Sequence, residues 1–124
     1  MTFALWMILV AILLPIVTTG LPKYTQRDLD NNSPREWQER LTGWRKRADW
    51  AHRNHFEALP MFAAAVLVAH HAHAAQGAVN SLAGLWVVLR IAYTVFYLKD
   101  MANARSLAWI GAFFCVIGLF VAAA

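Results

Sequence analysis

Four long apolar runs, separated by short polar stretches, constrain the fold of this chain more than any other feature. At a rise of 1.5 Å per residue, about 20 apolar residues in a helix just cross roughly 30 Å of hydrocarbon. Composition agrees with that reading. The 124 residues are 60% hydrophobic and 15% charged, against about 45–50% and about 25% in soluble domains. The expectation is an all-α integral membrane four-helix bundle, one unit over residues 1–124, with helices at about 2–21, 34–73, 82–98 and 105–123.

The first run has no preceding Lys or Arg and no Ala-x-Ala cleavage site, so it is read as a mature helix rather than a signal peptide. Pro15 interrupts it, and Gly20-Leu21-Pro22 is expected to end it. Ser33-Pro34-Arg35-Glu36 is the pattern of a helix start, with Ser33 as cap and Glu36 completing a capping box. No strong breaker follows until Pro60, so the second helix is expected to start outside the bilayer, enter it near Phe56 and continue to His73. Its alanines between Phe62 and Ala69 suit close helix contact. Gln76 to Ser81 and Lys99 to Asn103 are expected to be turns.

Net charge is +4, but eight of the eleven Lys and Arg residues lie between Lys23 and Arg53, flanked by apolar segments. That distribution favours anionic lipid headgroups or a small anionic ligand over nucleic acid. The excess of positive charge between the first and second helices, with Lys99 between the third and fourth, directs those connections to the cytoplasm and both termini away from it. Cys115 is the only cysteine, which excludes an intrachain disulfide and a CxxC redox pair.

Ionisable residues inside apolar helices carry the chemistry. Asn54 and Glu57 fall on one stripe of the second helix, with Arg53 four residues before Glu57 as its local ion partner. Arg90, Tyr93 and Tyr97, spaced i, i+3 and i+7, share a face of the third helix. Arg90 lies too deep to snorkel, and Glu57 is the expected carboxylate for it. Arg105 and Ser106 at the start of the fourth helix form a positive corner with the first-turn amides, where an anion would be stabilised and a thiol would lose its proton more readily. Each of these groups also has a purely structural reading, as helix-packing glue, interfacial aromatics or a positive-inside anchor. His70, His71 and His73 lack Cys, Asp or Glu partners and are read as wet interfacial histidines, not a metal site. No P-loop, dinucleotide fingerprint or serine-type triad is present.

The ordered set Arg47-Ala48, Ala51-His52-Arg53-Asn54-His55-Phe56-Glu57-Ala58-Leu59-Pro60, Arg90-x-x-Tyr93-x-x-x-Tyr97 and Arg105-Ser106 resembles the MAPEG family, the membrane-associated proteins of eicosanoid and glutathione metabolism, over nearly the whole chain and most closely its bacterial-like members. The resemblance implies a homotrimer in a bacterial inner membrane, with glutathione bound between subunits near the cytoplasmic face and a hydrophobic small-molecule substrate entering from the membrane lipids. It implies glutathione contacts at Asn54, Glu57, Arg53, Arg90, Tyr93 and Tyr97, and a catalytic Arg105 that supports the thiolate. The function so implied is a glutathione-dependent transferase or peroxidase. The alternative is a non-enzymatic membrane protein whose polar residues specify packing or regulate a lipid-pathway partner. Trp50 stands where the best-known enzymes have an arginine four residues before the motif asparagine, and the interval from Tyr97 to Arg105 differs by about one residue.

Overall fold

The computed structural model describes residues 1–124 and consists of α1 (Phe3–Thr25), α2 (Pro34–Arg40), α3 (Gly43–His71), α4 (Gln76–Leu98) and α5 (Ala102–Ala123). Three of these, α1, α4 and α5, are long and apolar enough to cross a membrane, so the chain is an all-α, multi-pass integral membrane protein. The expectation of a plain four-helix bundle is thereby corrected to five helices. α3 is long enough to span, but its first half carries Arg45, Lys46, Arg47, Asp49 and Arg53, and its apolar stretch begins only at Phe56.

The unbroken second helix expected from residue 34 does not form. Leu41 and Thr42 adopt extended ψ values of 148° and 166°, and Gly43 follows at φ +60°. That left-handed conformation is cheap only without a Cβ. The break lets α2 fold back, burying Trp37 and Leu41. Gln38 Nε2 donates to Thr19 Oγ1 of α1 at 3.1 Å. Lys46 Nζ donates to the carbonyls of Gln38 and Glu39, in the last turn of α2 where partial negative charge collects. The Trp37 indole donates to Asp28 and holds its carboxyl below the usual range. The expected capping box is absent, because the Ser33 hydroxyl donates to Asp30 Oδ2 at 2.8 Å instead of accepting from its own helix.

Prolines do not end the helices here. α1 runs through Pro15 and Pro22 to Thr25, and α3 runs through Pro60. Near the α1 prolines, hydroxyls of Thr18 and Thr25 donate back to the carbonyls of Leu14 and Leu21. His52 of α3 donates through Nδ1 to the carbonyl of Pro15 at 2.8 Å, tying α3 to α1. The turn expected at Gln76 to Ser81 is already the start of α4, and the link from α3 passes His73 at φ 54°.

α3 and α4 form the middle of the bundle. Each touches both α1 and α5, whereas α1 and α5 do not meet. Ala48, Ala51, Ala58, Ala65 and Ala69 of α3 are buried, and the small side chains let neighbouring helices approach. Between α3 and α4, Phe62 and Trp86 stack with centroids 3.8 Å apart and planes within 5°. Gly84 leaves room for the Phe3 ring, since a Cβ there would lie 3.1 Å from it.

The break at residue 43 yields a contrast between two glycines. Gly43→Ala is expected to cost about 1–2 kcal/mol for its left-handed backbone. Gly77→Ala, in α4 with nothing within 4 Å of an added Cβ, is expected to be neutral or to gain up to about 1 kcal/mol. Denaturant unfolding in detergent micelles checks both; equal effects would contradict the role given to Gly43.

Candidate functional site

Arg90 is the most deeply placed cation, 1% exposed, on the face of α4 that meets α3. A guanidinium only donates. Its Nη2 donates to Asn54 Oδ1 and to His55 Nδ1, both at 3.0 Å. His55 Nδ1 therefore accepts, and the imidazole proton sits on Nε2, which donates to Thr94 Oγ1 at 2.8 Å. The Thr94 hydroxyl donates onward to the carbonyl of Arg90 at 3.1 Å, closing a ring of bonds between α3 and α4. Tyr93 and Trp86 add π faces at 4.4 and 5.8 Å from the guanidinium carbon.

The direct Glu57–Arg90 ion pair expected from the sequence is not formed within the chain. Both ion pairs of the molecule end on Asp49, which is 1% exposed: Lys46 at 3.8 Å and Arg53 at 3.1 Å. Asn54 stands between the two expected partners. Its Oδ1 accepts a hydrogen bond from Arg90, and its Nδ2 donates to Glu57 Oε2 at 2.9 Å. The amide transmits polarity from the buried cation to the exposed carboxylate without placing either charge against the other. Arg53 is likewise turned from Glu57 to Asp49, one turn earlier on α3.

Trp50, Arg53, Asn54, Glu57, Tyr93 and Tyr97 line one cleft of about 480 Å³. Tyr93 and Tyr97 also line a second, of about 320 Å³, with Arg105, Ser106, Trp109 and Ile110. The two adjoin across the tyrosines, whose rings meet edge to face at 5.5 Å. Arg105 lies in the second turn of α5 with its guanidinium 4.4 Å above the Tyr97 ring. It has no carboxylate within ion-pair distance, because both pairs are at Asp49. Of the seven residues singled out from the sequence, six line the paired clefts, and Arg90 stands behind them, bonded to Asn54.

Trp50 contributes an aromatic wall where an arginine was sought, its ring 6.3 Å from that of Tyr97. Arg47 does not substitute for that arginine. Its Nε and Nη2 donate to the carbonyl of Leu98 at the end of α4, at 3.3 and 3.0 Å. Arg53 remains the cation on this cleft from α3. His55 is legible in the sequence only as a member of the second-helix motif, and neither Thr94 nor Asp49 stands out there as a site residue. Thr94 lies four residues after Arg90 and so on its face, which is the one signal that was available. His70, His71 and His73 join no group of metal-binding side chains.

The arrangement presents two cations and one carboxylate around aromatic walls, suited to a small zwitterionic ligand carrying net negative charge. The His55–Thr94 bond tests the ring that supports it. Thr94→Val leaves the His55 Nε2 proton without a partner and is expected to cost roughly 1–3 kcal/mol. Thr94→Ser should retain stability in the same unfolding measurement, and an unchanged Thr94→Val protein would remove the ring from the account.

Compared with known proteins, the chain matches the model of the MAPEG family over residues 3–124. No curated protein and no solved structure matches it.

Proposed function

The chain belongs to the MAPEG family, and from that premise we propose that it is a glutathione-dependent transferase or peroxidase acting on hydrophobic electrophiles within the membrane. The observation that carries this reading is the pair of clefts joined at Tyr93 and Tyr97, with Arg105 lying over Tyr97 and without an acid partner. A half-buried cation without a counterion favours an anion beside it. Glutathione, with two carboxylates and one amine, matches the charges presented. Arg53 and Arg105 complement its carboxylates, and Glu57, steadied by Asn54, complements its amine.

When bound, glutathione supplies a thiol nucleophile for carbon–sulfur bond formation or peroxide reduction. The chain's own part is electrostatic. Arg105, with the first-turn amides of α5, holds positive charge where a thiol must lose its proton. Lowering a thiol pKa by two units needs only about 2.7 kcal/mol of differential stabilisation. Tyr93, Tyr97 and Trp109 form apolar walls that limit water, and the exposed aliphatic flanks of α5 offer a route for a substrate arriving through lipid.

Both clefts open to the outside of the single chain, which supports a homotrimer in which a neighbouring subunit covers them. In this reading α3 is a fourth crossing, entering near Phe56, with both termini away from the cytoplasm of a bacterial inner membrane. The basic residues around α2 and the start of α3 support that orientation.

Arg105→Ala provides the test. Thiolate absorbance of glutathione titrated with wild-type protein should report a thiol pKa about two units below that of free glutathione. The variant should return it to the free value while leaving the helical circular dichroism intact. A thiol pKa that is the same in both proteins would overturn the role of Arg105. Absence of glutathione binding to intact wild-type protein at millimolar concentration would favour the non-enzymatic alternative, in which Asn54, His55 and Arg90 serve helix packing.

A further inference from the structure

A separate concavity lies away from the two tyrosine clefts, along the outer side of the last turns of α1. It is a trough of about 700 Å³ whose walls include Ile16, Val17, Gly20 and Leu21 from α1 and Leu29 from the segment that follows. Ile16 and Val17 are 55% and 64% exposed, within a helix apolar enough to cross a membrane. Its floor is set by Gly20, where an added Cβ would sit 3.4 Å from the Tyr24 ring. Towards the end of α1 the lining becomes polar, with Lys23 and Thr25. Arg45 of α3 reaches the same edge, donating through Nε to Thr25 Oγ1 and through Nη2 to the Thr25 carbonyl at 3.2 and 3.1 Å. Neither Lys23 nor Arg45 has an acidic partner, since both ion pairs of the chain end on Asp49.

An apolar trough within a membrane-crossing helix that ends at two uncompensated cations has the polarity of one kind of occupant. We propose that this trough binds an anionic phospholipid, its phosphate at Lys23 and Arg45 and an acyl chain along Ile16, Val17, Gly20 and Leu21. A zwitterionic lipid would satisfy the apolar wall, but its own headgroup cation cancels the phosphate and leaves the two basic side chains without net counter-charge. The anionic headgroup satisfies both, and its preference follows from attraction between basic residues at a membrane surface and acidic lipids. Gly20 matters because the trough deepens where its side chain is missing. The site shares no lining residue with the tyrosine clefts and stands whether or not the chain uses glutathione.

The experiment uses the full chain in neutral detergent, titrated with dioleoylphosphatidylglycerol or dioleoylphosphatidylcholine, with bound lipid counted by native mass spectrometry. Wild type is expected to retain the glycerol lipid on the order of tenfold more tightly than the choline lipid. Lys23→Glu should abolish that preference and Lys23→Arg should keep it. Gly20→Leu, which fills the trough without touching the charge, should weaken retention of both lipids. Equal retention of the two lipids by wild type, or a preference that survives Lys23→Glu, overturns the proposal. Val17→Cys offers a check on a rival occupant, since the one native cysteine, Cys115, is buried. Efficient disulfide crosslinking between copies through residue 17 would show a second chain on this face and overturn the lipid assignment.

Discussion

A guanidinium held inside a bundle of apolar helices, with no carboxylate against it, is the constraint around which this molecule is arranged. Water is scarce at Arg90, so each of its protons needs a partner from a neighbouring helix, and isolated charge in such surroundings is costly. α3 supplies neutral partners for one nitrogen, Nη2, while Nε is buried without one. Asn54 and His55 are adjacent in sequence, and both reach one nitrogen of Arg90. Thr94 returns the chain of bonds to the backbone of Arg90 itself. The helix pair is fixed in rotation and in height by this ring, because sliding α3 by one turn against α4 would replace Asn54 and His55 with apolar side chains. Tyr93 and Tyr97, on the same face as Arg90, are thereby held where α3 and α5 frame the two clefts.

Charge is handled differently at the other end of α3. Asp49 is buried yet carries both of the chain's ion pairs, with Lys46 below it and Arg53 above. Lys46 also binds the last carbonyls of α2, and Arg53 lines the first cleft. One carboxylate therefore connects the fold-back of α2 with the position of a cleft cation. Exposed ion pairs contribute little, a median of about 0–1 kcal/mol. Here the buried partner makes geometry the main product: with Arg53 drawn to Asp49, Glu57 is left to Asn54 and stays accessible.

Much of this could be read without coordinates. The apolar runs declare a helical membrane protein, and α1, α4 and α5 follow from them because backbone groups in lipid must be satisfied within a helix. The candidate residues were visible too, since Asn54, Glu57, Arg90, Tyr93, Tyr97 and Arg105 are polar or charged residues at helical spacing in or beside greasy segments. The helix ends were less legible. Gly20-Leu21-Pro22 looks like a stop, yet proline's fixed φ is compatible with a helix and inside a membrane bundle the missing N–H is tolerated, so α1 continues to Thr25. Leu41-Thr42-Gly43 looks weaker, yet it is where the chain breaks, because burial of Trp37 and Leu41 stabilises a turn that the local sequence only permits.

What the sequence by itself determined is therefore the solvent, the helical class and the set of residues able to do chemistry, since transfer free energy and backbone satisfaction act on each segment alone. Which of those residues meet was decided only by tertiary structure. Glu57 and Arg90 have opposite charges, and sequence favours pairing them; the packed helices insert Asn54 between them and give Arg53 to Asp49. Pairing depends on the distance and rotation between helices, and those come from interlocking surfaces such as the Phe62–Trp86 stack and the alanines of α3, contacts between residues far apart in the chain.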